Sequence, residues 1–352
     1  MSFERYMELA LYAPGLGYYS AGSTKIGPGG DFVTAPEVSD LFSRCVARQC
    51  ADLLAEVGGD VLELGAGTGR MAVTILESLA ELGVLPRRYA ILEVSADLAE
   101  RQRLRVEHLP PHLRDRVIWL DSLPETPIRG VILANEVLDA LPFQRFVVHP
   151  DRVAELGVAL QGECFGWQER GGAVPAVEAL TRALSFTLPA GYRSEICLRL
   201  EPWIRSVGQC LERGMLLLFD YGLPRSHYYH PQRTDGTLRC HFKQRAHEDP
   251  FINTGVQDIT AWVDFTRVAE AALAASLEVS GFATQAAFLL GTGIESMAAA
   301  VTEPLVQARL AGEARRLLLP GEMGEAFKAM ALTRDLRSPL RGFQYQDLRT
   351  SL

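Results

Sequence analysis

The sequence predicts an α/β fold: a largely parallel, Rossmann-like sheet with helices on both faces, an inserted antiparallel subdomain, and extra C-terminal helices. Three observations carry this expectation. From 60 to about 140, short apolar strands alternate with helical segments, the order that builds a parallel sheet covered on both sides. Between about 143 and 200 the alternation gives way to consecutive strand-like runs separated by Gly- and Pro-containing turns. An apolar run at 215–219 then restores the core, and Ala-rich helices fill much of 266–318.

Taken in order, residues 1–59 form a loop and helix that cover the site to come. The stretch 13–36 is rich in Gly and Pro, with Tyr18, Tyr19 and Phe32 among them, which is the composition of a structured loop rather than a linker. Val38, Leu41, Phe42, Cys45, Val46, Leu53 and Leu54 trace one helical face. The first part of the core, 60–142, opens with DVLELGAGTGR. Val61, Leu62 and Leu64 have the pattern of a buried strand. Gly65, Ala66, Gly67 and Gly69 form the turn, and Met71, Val73, Leu76, Leu79 and Leu82 recur with helical spacing. Glycines at such a turn permit positive φ and let a ligand reach the bare backbone, beside the unpaired N–H groups of a helix start. That geometry suits an adenosine-bearing cofactor. The spacing is E-x-G-x-G-x-G, whereas the dinucleotide fingerprint is G-x-G-x-x-G. An anionic Glu63 would repel a pyrophosphate but attract the amino and sulfonium cations of S-adenosylmethionine.

The later strands each end in a polar residue. Tyr89–Leu92 is followed by Glu93 and Val94, Val117–Leu120 by Asp121, 131–134 by Asn135 and Glu136, and 215–219 by Asp220. In an open parallel sheet ligands bind outside the carboxyl ends of the strands, so these residues converge on one crevice. Glu93 stands where ribose hydroxyls are held, and Asp121 is placed to accept from an adenine amino group. Any one of them alone serves as well as a helix cap or turn residue. Their recurrence carries the reading.

The insertion, 143–200, contains strand-like 146–148, 155–158, 164–167 and 195–200. It follows the fourth strand and so lies beside the crevice, as a lid or substrate-binding subdomain, or as a stabilising embellishment. In the remainder, 201–352, a helix over 202–212 leads to the strand at 215–219, a long polar loop spans 223–259, and 278–290 supplies part of a closing strand pair. The loop's mixed run, with Arg239, His241, Lys243, Arg245 and His247, suits an acidic partner or plain solvation.

With 352 residues, 48% of them hydrophobic, the chain can bury a large core. A net charge of -8 argues against a nucleic-acid surface. Six cysteines without a C-x-x-C pair or an ordered Cys/His ligand spacing point to reduced thiols and no metal. No run approaches the roughly 18 apolar residues of a membrane span. MSFERYMELALY lacks the features of a signal or transit peptide, so a cytoplasmic location is expected.

The blocks GYYS (17–20), GDFVTAPEVSDLF (30–42), ELGAGTGR (63–70), LEVSADL (92–98), NEVLDALP (135–142), FDYG (219–222), GTLRC (236–240), DITAWVDF (258–265) and GEMGEAFKAM (321–330) run in order over nearly the whole chain. In this combination the sequence resembles the MidA-like family, which groups bacterial proteins with the mitochondrial complex I assembly methyltransferase. The resemblance implies a class I S-adenosylmethionine-dependent methyltransferase fold with an elaborated substrate region. From the mitochondrial members it implies arginine methylation on a protein substrate, a subunit of respiratory complex I. It carries the motif glycines onto Gly65, Gly67 and Gly69, the ribose-binding acid onto Glu93, and the NE-x-x-DALP block onto Asn135, Glu136, Asp139, Ala140, Leu141 and Pro142. Ala66 stands where relatives often carry Pro.

An arginine acceptor is chemically demanding, because a guanidinium has no free lone pair and a pKa above about 12. Carboxylates must hold it and draw charge from the reacting nitrogen. Glu136 and Asp139, expected one turn apart on a helix after the fourth strand, are the candidate clamp, with Asn135 beside them. Asp31 is placed to reach the crevice or the cofactor's amino group, or to stabilise its own turn. The competing functions are a non-catalytic assembly chaperone that binds S-adenosylmethionine, a small-molecule methyltransferase, and an NAD-dependent dehydrogenase, which the glycine spacing and Glu63 oppose. Nucleobase methylation is opposed by NEVL at 135–138, where an Asp-, Asn- or Ser-Pro-Pro-aromatic motif would stand. Apolar helices in 266–330 form core or a homodimer face.

Overall fold

The computed structural model describes residues 1–20, 27, 30, 31, 33–171 and 174–352; Phe32 of the Gly-rich stretch lies outside the described residues. The core opens with β1 (Asp60–Leu64), β2 (Tyr89–Leu92), β3 (Val117–Leu120) and β4 (Ile128–Asn135). Next come β5 (Gln144–Val148), β6 (Val153–Gln161), β7 (Cys164–Arg170), β8 (Arg193–Ile196) and β9 (Leu211–Leu223). The short strands β10 (Arg239–Phe242), β11 (Arg245–His247), β12 (Asp258–Thr260) and β13 (Val263–Asp264) precede the closing pair β14 (Glu278–Thr284) and β15 (Phe327–Arg334).

The main sheet has the order β14-β15-β9-β4-β1-β2-β3, with β13 pairing to β9. Neighbours from β9 through β3 are parallel, and β15 runs antiparallel between β9 and β14. Alternation along each strand divides the interior into two cores. Val61, Val131, Leu133, Met215, Leu217 and Phe219 pack with the helices Asp40–Val57 and Arg70–Glu81. Leu62, Leu64, Ile132, Ala134, Leu216 and Leu218 pack with the helices Leu200–Gln209 and Phe265–Ala274. Strands buried on both faces read as continuous apolar runs, which is why β1, β2 and β4 stand out in the sequence.

The insertion is an antiparallel sheet of order β7-β6-β5-β8 followed in the chain by the helix Leu200–Gln209. The helix Phe3–Tyr12 packs on it: Phe3 lies 5.4 Å from Phe143 and 4.8 Å from Trp167, ring centre to ring centre. Several expectations change. Residues 223–259 are not a continuous loop, since they contain the helix Arg225–Tyr228 and most of the sheet β11-β10-β12, whose Cys240 and Ile259 join the core around Phe3. The strand expected over 195–200 stops at Ile196, and Leu200 opens the next helix. That helix ends at Gln209, and Leu211 already belongs to β9. The partner of β14 is β15, outside 278–290, where Gln285–Gly291 is helical.

Candidate active site

At the end of β1 the chain turns through Gly65, Gly67 and Gly69, with φ of 67°, 53° and 79°, and enters the helix Arg70–Glu81. The turn lies where the sheet order reverses, with β2 on one side of β1 and β4 on the other. A cavity opens there, at the place where ligands bind in open parallel sheets. Glu63, Gly65, Ala66, Gly67, Glu93, Val94, Asn135 and Glu136 all line it. Gly69 is not on the wall; it is the N-cap of the helix behind the turn. Asp121 is exposed and off the wall. Asp31 is off it as well, although buried. Its Oδ2 accepts from the Tyr18 hydroxyl at 3.0 Å and its Oδ1 from the Lys243 amide at 2.6 Å, so it ties the Gly-rich loop to the β10–β11 turn.

Glu63 is 1% exposed and accepts from the Tyr89 hydroxyl at 2.6 Å. Burial pushes its carboxyl up to about 7, so it is not the fixed anion that its strand-end position implied. Glu93 accepts from the Ser95 amide at 2.9 Å and from the Gln102 side chain at 3.0 Å. Gln102, fully buried, also donates to the Gly67 carbonyl at 2.9 Å and accepts from the Trp119 indole at 3.0 Å. One amide thus ties the glycine turn to the acid after β2 and to β3. Glu37 closes the other side: it accepts from the Thr68 hydroxyl at 2.5 Å, and its carbonyl accepts from Arg70 at 2.9 Å.

The NE-x-x-DALP block forms a turn, not the expected helix, and Glu136 has φ +54°. Asp220 holds that turn. Its Oδ2 accepts from the amides of Leu138 at 2.9 Å and Asp139 at 3.2 Å, and its Oδ1 from the Tyr221 amide at 3.0 Å. Asn135 donates to Glu136 Oε1 at 3.1 Å, while its own Oδ1 is buried without a partner. Glu136 and Tyr19 also line a second cavity, together with Asp139, Tyr221, Asp258, Trp262 and the two arginines Arg239 and Arg316. Burial, helped by the charge of Asp139, raises Glu136 to about 8 and Asp258 to about 7; burial raises Asp139 itself to about 6. Tyr12 and Tyr19 stack at 5.5 Å on the wall of the first cavity, anchored by hydroxyl hydrogen bonds to the Ala140 carbonyl at 2.9 Å and to Asp258 Oδ1 at 3.0 Å.

Sequence reasoning did not select Tyr12, Tyr19, Glu37, Gln102 or Asp258 as site residues. Tyr19, Glu37 and Asp258 do fall in the quoted blocks GYYS, GDFVTAPEVSDLF and DITAWVDF. Gln102 carries no local signal, since it is a polar residue on an ordinary helix, Ala96–Val106.

A profile describing S-adenosyl-L-methionine-dependent methyltransferases matches residues 45–283. The chain belongs to this family. A protein from Burkholderia thailandensis, crystallised with S-adenosyl-homocysteine, is 40% identical and superposes with a TM-score of 0.95, over 100% of this chain and 92% of that one. A native crystal structure from the same organism gives 39% and 0.93. The mitochondrial protein arginine methyltransferase NDUFAF7 of Danio rerio is 27% identical over 96% of this chain and 84% of its own length; that of Homo sapiens is 28% identical over 97% and 81%. The methyltransferase therefore has the class I fold and uses S-adenosylmethionine. Its first cavity fits that cofactor chemically, with an acid after β2, a bare glycine turn, and an unpartnered Asn135 oxygen able to accept from an ammonium group. No helix among the described residues is long and apolar enough to cross a membrane.

Proposed function

We propose that the enzyme methylates an arginine side chain of a protein. The observation that carries this is the acidic wall between the two cavities: Glu136 lines both, and Asp139, 5% exposed, leaves Oδ1 without a partner. Buried carboxyls held in no ion pair are costly, and a guanidinium, always charged and planar, is the side chain that pairs best with them. The names of the NDUFAF7 relatives support the same acceptor. The MidA-like resemblance makes a subunit of a respiratory complex the acceptor to try first.

In this reading Glu93 takes the ribose hydroxyls, the backbone of Gly65–Gly67 passes beside the cofactor, and Asn135 Oδ1 and Glu63 receive its ammonium group. The bound cofactor supplies an electrophilic methyl group on a sulfonium. Glu136 and Asp139 hold the guanidinium so that one nitrogen faces that methyl, and positioning supplies most of the acceleration. The reacting nitrogen would gain the methyl as the bond from that methyl to the sulfonium sulfur breaks, leaving S-adenosylhomocysteine, and would release one proton. Glu136, whose carboxyl is raised toward neutral pH, is placed to take it and return it to solvent.

The test has two stages. Calorimetry with S-adenosylhomocysteine should give micromolar binding to the wild type and at least tenfold weaker binding to Glu93→Ala. Mass spectrometry of extract proteins treated with enzyme and cofactor should then show methylarginine, which Glu136→Gln abolishes while still binding S-adenosylhomocysteine. Binding without any methylated arginine would overturn the acceptor assignment and favour a cofactor-binding assembly chaperone.

A further inference from the structure

The second cavity is not built from the methyltransferase core alone. Asp258 opens β12 of the small sheet β11-β10-β12 and is paired across it with His241. It is 3% exposed; its carboxyl accepts from the Tyr19 hydroxyl of the N-terminal segment and feels the charges of Asp139, in the turn after β4, and of Asp31, while His241 lines the same cavity. Glu136, Asp139 and Asp258 thus reach one cavity from two different sheets. Arg239 and Arg316 also stand on this wall, Arg239 paired with Glu248, and among the described residues no ion pair joins a Lys or Arg to Glu136, Asp139 or Asp258. Asp139 Oδ1 is buried and makes no close hydrogen bond, although the Tyr221 hydroxyl acts on its carboxyl, so it has capacity for a further donor. Tyr221 and Trp262 add flat aromatic walls, and planar cations stack on such faces.

We infer that Asp258 is a third acceptor-binding carboxylate, supplied from outside the core, and that with Glu136 and Asp139 it lines the channel through which a planar cationic side chain reaches the cofactor. The inference rests on the arginine reading above and adds to it a residue and a path. A purely structural Asp258 would need only its hydrogen bond from Tyr19, which an amide oxygen also accepts. A clamp residue needs the charge.

Asp258→Asn separates the two roles. The wild type and the variant, both saturated with S-adenosylhomocysteine at pH 8, are titrated with ethylguanidinium and with butylammonium by ligand-observed NMR. The expected result is ethylguanidinium binding to the wild type that weakens at least tenfold in the variant, with S-adenosylhomocysteine affinity unchanged within twofold. Equal ethylguanidinium affinity in the two proteins overturns the assignment of Asp258 and leaves the arginine reading in place. Binding of butylammonium alone overturns the arginine reading, and the same comparison with that probe still decides whether Asp258 holds the cation. Binding of neither probe overturns both. If the Asn variant no longer holds S-adenosylhomocysteine, Asp258→Ser, which leaves room for water beside Tyr19, is judged by the same criteria.

Discussion

Glu136 occupies the left-handed region at φ +54°, where a residue with a Cβ costs roughly 1–2 kcal/mol. Its amide donates to the Phe219 carbonyl at 2.8 Å, so the strain is held by β9 and not by its own neighbours. Strain of this kind persists where the surroundings over-determine the backbone. Glu136→Gly relieves both the φ cost and a buried acid. It is expected to raise the thermal midpoint by a few degrees at pH 8 while reducing methyl transfer at least a hundredfold; unfolding and turnover on the same sample check both halves. Gln102 gives the converse case. Gln102→Leu leaves the Gly67 carbonyl and the Trp119 indole unpartnered, at about 1–3 kcal/mol each. Although Gln102 is not on the cavity wall, the substitution should weaken S-adenosylhomocysteine binding about tenfold by loosening Glu93 and the glycine turn. Calorimetry showing wild-type affinity in a folded Gln102→Leu protein would rule this out.

At the scale of elements, the parallel strands begin closer together than side chains allow. A Cβ on Gly130 in β4 would lie 2.0 Å from the Asp60 carbonyl oxygen of β1, and one on Gly214 in β9 would lie 1.9 Å from the Gly130 carbonyl oxygen. Overpacking a backbone contact of this kind costs roughly 3 kcal/mol. Gly83, also at positive φ, has open space where a Cβ would point, with nothing within 4 Å, so Ala there costs only the backbone term of about 1 kcal/mol. Both glycines are at positive φ and share the backbone term, so denaturant unfolding of Gly130→Ala and Gly83→Ala should separate by the overpacking alone, about 3 kcal/mol, and equal losses would show that the strand starts can spread apart.

Across the whole molecule, the buried acids set the pH dependence of stability. Glu63, Asp139, Asp258 and Glu136 are raised to about 7, 6, 7 and 8, so the fold keeps protons that the unfolded chain releases near pH 4 to 4.5. Between about pH 5 and 8 the native state therefore binds more protons, and stability falls as pH rises. Glu8 works the other way. Hydrogen bonds from Arg199 and Arg5 lower it to about 2, and its contribution disappears only as pH falls below about 4.5. His241, lowered by burial, opposes the trend only just below its ordinary value, and Lys328, lowered to about 8, acts only above pH 8. The ligand-free protein should be most stable near pH 5 and lose several degrees of thermal midpoint by pH 8. Glu136→Gln should flatten that slope, and a midpoint that climbs steadily from pH 5 to 8 would contradict the burial of these acids.

The sequence by itself determined the parallel core, its glycine turn and the acid at the end of β2. These are local facts, encoded in strands buried on both faces, in glycines at positive φ, and in a helix that follows at once. Other features depend on contacts that no local pattern carries. The expected helix at Glu136 and Asp139 yields to a turn because Asp220, 82 and 81 positions along the chain, captures the amides of Leu138 and Asp139. The strands β10 to β12 are too short for a period-two pattern to rise above a polar background, and β15 is recognisable only once β9 and β14 flank it. Tyr19 meets Asp258 across 239 residues, and Gln102 meets Gly67 across 35. Only the tertiary structure could decide those meetings and the raised carboxyl groups, because desolvation and convergence are properties of packing and not of neighbouring residues in the chain.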